Sequence, residues 1–336
     1  MFRAFLGIES TAGRRAAIAM IALLILTLAL SAYFGYRAYR LPIDDQPLDT
    51  DAYRGQRYHL LLIGQEADNP YWQRILTGAR RAAQAADVYL DYRAPSTPDP
   101  EAPQKLIEWG TFVRVDGILT PGLDPQRYAP VIDRAVAAGI PVITIDTDAP
   151  ASRRIAFVGT YNYYAGRQAA RELVRLTGGR ARIGIITGRL DTSSFAERVQ
   201  GFLDEIHAYP EMHVLAIEAS DLSRLFAAEK ASQMLQKYPD LNAFFGTSAL
   251  DGPGIVDALR RHGRAGRVAV VAFDDLPETV AALHSGTIQA IVVQNPELIG
   301  EYSIHLMVKT LSGQPVAPLN LTDTHILRHR QLPRRN

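Results

Sequence analysis

The chain has no cysteine among its 336 residues. Disulfides, thiolate nucleophiles, cysteine-ligated zinc and a lipid-modified N-terminal cysteine are therefore excluded together. An excess of charge of one sign is also missing, since 36 Lys and Arg against 35 Asp and Glu leave a formal net charge of +1. Nucleic acid requires a concentrated basic face, so no nucleic-acid partner is expected. The basic ending 328–335 (RHRQLPRR) reads as a short solvated tail. The eight histidines (59, 207, 213, 262, 284, 305, 325, 329) are scattered, with no His-Glu-x-x-His pattern. That leaves no support for a zinc hydrolase, and no metal is expected. A GxxxxGK[ST] phosphate loop, a GxGxxG turn after a strand and a GxSxG nucleophile elbow are absent too. No cofactor and no enzymatic activity are expected. The adjacent pair Asp274-Asp275 does not change this, because neighbours in one loop usually point apart.

What is present supports a packed body. Hydrophobic content is 47% and charged content 21%, and the length suits two domains after a leader. In the leader, Arg14-Arg15 precede an uncharged run, residues 16–36, closed by Arg37. At helical rise that run reaches about 30 Å, enough for a bilayer core. An uncleaved signal anchor is favoured over a cleaved signal, because the best cleavage site, after Ala32, has the poorly suited Leu30 three positions back. Arg3, Arg14 and Arg15 favour a cytoplasmic N-terminus. The expectation is residues 1–15 cytoplasmic, 16–36 a single-pass transmembrane anchor, 37–57 a polar linker, and an extracytoplasmic body (periplasmic or extracellular).

The body is organised around residues 141–174, PVITIDTDAPASRRIAFVGTYNYYAGRQAARELV. A β-branched run, Val142–Ile145, ends in Asp146-Thr147-Asp148. A second run, Ile155–Val158, stops at Gly159, and a helix-type segment follows. Further strands are expected at Tyr58–Gly64, Val88–Tyr92, Asp116–Thr120, Ala181–Thr187, His213–Glu218, Asn242–Phe245, Val268–Phe273 and Thr287–Val293, with a last one possible at Thr322–Leu327. Helical segments separate most of them. Strands of this composition suit parallel sheets buried on both faces, and their number, roughly ten, suits two sheets better than one. The expected fold is α/β: two doubly wound lobes with a ligand cleft past the carboxyl ends of the strands. Asp146 and Asn162 sit at such ends.

The ordered motifs NPYW (69–72), VITIDTDAP (142–150), VGTYNYYAGR (158–167), ERVQGF (197–202), VVAFD (270–274) and IVVQNPELIG (291–300) resemble the periplasmic sugar-binding proteins of the ribose-binding type. The likeness spans about 58–330, and the same fold forms the effector domain of repressors similar to the lactose repressor. The resemblance implies three crossings between lobes, near Tyr161–Asn162, Gln294–Asn295 and Leu321–Thr322, and closure by hinge bending. One lobe would be 58–161 plus 295–321, the other 162–294 plus 322–330. It implies ligand contacts from Asn69, Tyr71, Trp72, Asp146, Asn162, Asp274 and Gln294, with Asp148, Arg189 and Thr247 as weaker candidates. The chemistry agrees, because carboxylates and amides bind sugar hydroxyls directionally and flat aromatics suit C–H faces. Ala196, Thr147 and Thr247-Ser248 depart from the ribose-type pattern and argue against ribose itself.

Plainer readings stand beside these. Asp146 could only cap a turn, Trp72 could be core and Asn162 an N-cap. Asp148 and Arg189 read more readily as solvated loop, and Arg198 as an ion-pair member rather than a ligand. The expected function is a membrane-anchored extracytoplasmic sugar-binding protein, its membrane partner an ABC permease or a sensor histidine kinase. The alternatives are a transcription regulator of the lactose-repressor type lacking a DNA-binding head, and a carbohydrate-active enzyme using Asp146 or Asp274.

Overall fold

The computed structural model describes residues 11–39, 55–96, 99 and 101–328. Two compact units divide between Asp49 and Thr50. In the first, α1 (Thr11–Tyr39) is one continuous helix. Its large apolar side chains from Ile18 to Leu30 are exposed. Beyond Arg15 its side chains are described over 17–33, a rise of about 25 Å against the ~30 Å of a bilayer core. Among the described residues no helix is long and apolar enough to cross a membrane, so the expected anchor is not shown. Most of the expected cytoplasmic end and linker, and the basic tail from 329, lie outside the described residues.

The second unit opens with β1 (Tyr58–Ile63), α2 (Pro70–Ala85), β2 (Val88–Arg93), α3 (Ala102–Val113), β3 (Gly117–Thr120), α4 (Pro125–Ala137), β4 (Val142–Ile145) and β5 (Ala156–Thr160). It continues through α5 (Asn162–Thr177), β6 (Arg180–Thr187), α6 (Ser193–Ile206), β7 (Glu211–Ala219), α7 (Arg224–Lys237), β8 (Ala243–Gly246), α8 (Asp251–Arg261), β9 (Ala269–Phe273), α9 (Pro277–His284) and β10 (Ala290–Val293). It closes with α10 (Pro296–Leu311), β11 (Leu319–Thr322) and β12 (His325–Arg328).

Two six-stranded sheets result, ordered β11-β5-β4-β3-β1-β2 and β12-β10-β9-β8-β6-β7. Among the described residues all pairings are parallel except that of β12 with β10. Alternate residues enter opposite cores. Leu60 and Leu62 pack with α2 and α10 residues, while Leu61 and Ile63 pack with Ile107 and Tyr128. The second sheet repeats this with Phe244 on one face and Phe245 on the other. Burial on both faces is why the strands read as unbroken apolar runs.

The last expected strand differs most from expectation. The single last strand, 322–327, is two strands in different sheets. Thr322 pairs with Thr160 in the first sheet, and His325 pairs with Val293 in the second. The change of sheet therefore falls at Asp323–Thr324, because a short polar break interrupts what looked like one β-type run. Helix α4 starts at Pro125, because the Asp124 carboxylate accepts from the amides of Gln126 and Arg127 and proline suits the first turn.

Two helix pairs cross at glycines, and these crossings position the cleft. A Cβ on Gly78 would lie 1.9 Å from the Glu297 carbonyl, and one on Gly300 2.0 Å from that of Ile75. In the other lobe, Cβ atoms on Gly166 and Gly201 would each lie 2.0 Å from a backbone carbonyl of the opposite helix, Arg198 and Tyr163 respectively. Helices α2 with α10 and α5 with α6 therefore pack backbone to backbone, with their N-terminal ends beside the cleft.

Candidate functional site

Strands β4 and β9 occupy equivalent places in their sheets, and each ends in an aspartate with left-handed backbone. Asp146 has φ 62° and Asp274 φ 63°. The Asp146 N–H donates to the Val158 carbonyl and the Asp274 N–H to that of Val292, both at 2.9 Å. This conformation is unfavourable for most L-residues but tolerated by Asp, and such strain concentrates at ligand sites. Both carboxylates line one cavity between the lobes, about 500 Å3 with the open solvent at its mouth included.

Gln294, just past β10, is the node of the site. Its Oε1 accepts from Thr160 Oγ1 at 2.7 Å, Arg198 Nη2 at 2.8 Å and, weakly, the Tyr71 hydroxyl at 3.5 Å. Its Nε2 donates to Asp274 Oδ1 at 2.9 Å. The Tyr71 hydroxyl donates to Asp146 Oδ1 at 2.7 Å. Arg198 is 3% exposed, and its guanidinium lies 4.1 Å from the centroid of the Phe273 ring. Its Nε donates to Asn162 Oδ1 at 2.8 Å and its Nη1 to the Thr247 carbonyl at 2.7 Å.

Burial dominates the electrostatics. It pushes the Asp274 carboxyl up to about 6, against the nearby Arg198 charge and the Gln294 hydrogen bond, which lower it. Asp146 is raised by the same cause, opposed by Tyr71 and Arg198. The Tyr71 phenol is raised by burial and then by the two carboxylates. One buried cation thus faces two buried carboxylates, which suits a ligand rich in hydroxyl groups that donate to the acids.

Contacts also bridge the lobes. Arg74 of α2, held by Glu297 of its own lobe at 2.7 Å, donates across the cleft to Asp275 Oδ1 at 2.5 Å. Thr147 Oγ1 and Ser194 Oγ are 3.3 Å apart, and Ser193 Oγ donates to the Asp148 carbonyl at 3.5 Å. These contacts hold the two sides of the cleft together.

Of the residues singled out from sequence, Asn69, Tyr71, Trp72, Asp146, Asp274 and Gln294 line this one cavity. Asn69 also caps α2, its Oδ1 accepting from the amides of Tyr71 and Trp72. Trp72 is 1% exposed, packs in the core and donates from Nε1 to Gln65 Oε1 at 3.3 Å. It presents an edge of the core rather than an open stacking face. Asn162 lines a separate hinge-side space with Asp148 and reaches the site through Arg198. Asp148 is held by Arg154 and by Thr144 Oγ1 at 2.7 Å. Arg189 pairs with Asp191 at 2.9 Å on the outer rim. Thr247 is fully buried, its hydroxyl 2.8 Å from that of Thr187, and it contributes its carbonyl to Arg198.

Sequence reasoning missed several members. Arg198 is not the expected ion-pair member, because its three partners are neutral oxygens. Phe195 and the buried Ser248 also line the cavity. Asp251 is fully buried, its carboxyl pushed up to about 6 by burial. It accepts from the amides of Thr247 at 3.1 Å and Ser248 at 2.7 Å, and from Ser220 Oγ at 2.6 Å. It fixes the loop that carries Ser248. The one signal for it was an acidic residue in the first turn of a helix.

A family model described as periplasmic binding protein domain matches residues 60–315. The D-allose-binding periplasmic protein of Escherichia coli (strain K12) is 26% identical over 282 residues, 81% of this chain and 90% of its own length. The solved structure of GanP, a glucose-galactose binding protein from Geobacillus stearothermophilus, is 41% identical with a TM-score of 0.81, covering 83% of this chain and 99% of that one. A structure of the XylFII-LytSN complex is 31% identical with a TM-score of 0.77, covering 82% and 99%.

Proposed function

The chain belongs to the periplasmic binding protein domain family, and from that premise we propose that it binds a neutral monosaccharide ring, or a similar polyhydroxylated group, between its lobes. The observation that carries this is the convergence of Asp146 and Asp274, at equivalent strand ends of the two sheets, on one cavity shared with Gln294 and Arg198. Sugar hydroxyls donate to the carboxylates, while the Ser248 hydroxyl on the cavity wall offers a neutral polar group. Ring C–H groups pack on Phe195 and the edge of Trp72. Closure rotates the lobes about the three segments that change sheet. The role is binding rather than turnover, as for the relatives whose names describe binding proteins.

The body works outside the cytoplasm, tethered by α1 with its apolar side chains in the bilayer. The exposed run Ile18–Leu30 supports the tether. The closed form is read by a membrane partner. An ABC permease fits the family's periplasmic character, and a sensor kinase is the second reading, favoured by the likeness to the XylFII-LytSN complex. Calorimetric titration of the full chain against pentoses, hexoses, polyols and sugar acids tests the binding reading. Saturable heat with a neutral sugar, recovered unaltered afterwards, is the expected result. Heat with none of them, or chemical conversion of the sugar, refutes it. Alkaline carbonate extraction of membranes tests the tether, which fails if the chain is released.

A further inference from the structure

The cleft does not end at the inner cavity. Gln65, Asn69 and Leu222 line it and also line a second space of about 950 Å3, open solvent included, whose further walls include the exposed Arg127 and Asp191. Both lobes contribute walls, with Gln104 and Tyr128 on one side and Arg189 and Asp221 on the other. Leu222 stands at the junction in an unusual backbone. Asp221 and Leu222 are consecutive non-glycine residues with left-handed φ, 50° and 59°. A β-turn hydrogen bond, from the Ser223 amide to the Ser220 carbonyl at 2.9 Å, holds this corner. Strain of this kind persists where surrounding structure imposes it, commonly at ligand sites.

The chemistry of the outer chamber is amphipathic. Leu222, Leu123 and the Tyr128 ring are apolar wall, while Gln104 and the paired charges Arg189–Asp191 and Arg127–Asp124 supply hydrogen-bonding groups. Both arginines are already matched by a carboxylate, and Glu66, Asp99 and Asp221 add negative charge. Such a wall repels a phosphate or uronate and accepts uncharged hydroxyls.

We propose that the outer chamber is a second sugar subsite, so that the ligand is a neutral disaccharide or glycoside with one ring in the inner cavity and its substituent passing Gln65, Asn69 and Leu222. This rests on the sugar-binding reading above and extends it. Part of the ligand would then stay near the cleft mouth after closure, and glycosides would gain affinity through contacts that a free monosaccharide lacks.

The test is titration calorimetry on the full chain with free hexoses and pentoses, their methyl glycosides and neutral disaccharides containing them. At least one disaccharide should bind about tenfold more tightly than its free monosaccharide, a gain of about 1.4 kcal/mol. Gln104→Trp, which fills the outer chamber, should abolish that gain and leave monosaccharide affinity unchanged. Arg127→Ala removes a side chain that is 62% exposed, so folding is not at risk, and it should reduce the gain several-fold. Glycosides that bind no better than free sugars, or a gain insensitive to both variants, overturn the subsite while leaving the inner site standing. Failure of every sugar to bind refutes the sugar reading itself, and the subsite with it.

Discussion

Asp274→Asn should make the ligand-free protein more stable and a worse binder. The folded state holds this carboxyl near 6, against 3.8 for an unperturbed group, because burial costs the charged form more than Arg198 and Gln294 return. Between those values the folded chain keeps a proton that the unfolded chain has lost, so stability falls as pH rises through the window and levels off above about 6. The full difference is about 3 kcal/mol. Asn carries no charge to desolvate, keeps an oxygen for the Gln294 amide that now bonds Asp274 Oδ1 at 2.9 Å, and tolerates the left-handed φ of 63°. Denaturant unfolding of both proteins from about pH 4 to about pH 8 should show a small difference at the acid end and a gain of up to ~3 kcal/mol at the alkaline end. Asp251, also raised to about 6, contributes the same slope to both and cancels. Binding should move the opposite way, since exchanging a charged for a neutral hydrogen bond costs about 1–2 kcal/mol, or roughly five- to thirtyfold. A variant less stable than wild type at neutral pH, or a pH-independent difference, refutes the electrostatic account. Unchanged affinity refutes the ligand role.

Asp146→Ala removes a carboxylate whose neighbour Asp274 remains, and should weaken sugar binding by about 2–3 kcal/mol, roughly a hundredfold, in calorimetry on a folded variant. Gly201→Ala places a Cβ 2.0 Å from the Tyr163 carbonyl. It should lower stability by about 1–3 kcal/mol or more and affinity as well, because the α6 backbone must retreat and take Arg198 with it. Wild-type binding in that variant would show that the close crossing does not position the arginine. Asp251→Ala leaves the Thr247 and Ser248 amides without their carboxylate and should cost about 1–3 kcal/mol in thermal or denaturant unfolding. Arg74→Ala removes a cross-cleft contact, so small-angle scattering of the ligand-free protein should show a larger radius of gyration. An unchanged radius would mean that Arg74–Asp275 does not hold the lobes together.

Much of the site was legible because parallel strands advertise their ends. An apolar run that stops at a polar residue marks a carboxyl end, and Asp146, Asp274 and Gln294 each follow such a run. Asn69 was legible as the residue before Pro70 at a helix start. Arg198 was not. It sits mid-helix among polar residues, where a charged side chain normally reaches water, and it is buried here because Gly166 and Gly201 let α5 and α6 touch. Ser248 was legible only as half of a departure from the ribose-type pattern, and Phe195 gave no signal, since a phenylalanine in a first helical turn is common on any α/β protein. Trp72 went the other way: its type suggested a stacking platform, and packing against the first sheet made it core.

The sequence by itself determined the element order, the burial of the strands on both faces, the division into two doubly wound sheets and the strand ends that carry the cavity-lining acids. These follow from side-chain period and local backbone preference, which act over a few residues. The tertiary structure alone decided which ends face each other, where the chain changes sheet for the last time, and that Arg198 and Asp274 meet on one glutamine, Gln294. It also decided that the cleft has two chambers. Those features arise between residues far apart in the chain, here Tyr71 with Gln294 and Arg198 with Asn162, and no local pattern encodes a contact whose partner the chain reaches only after both lobes have folded.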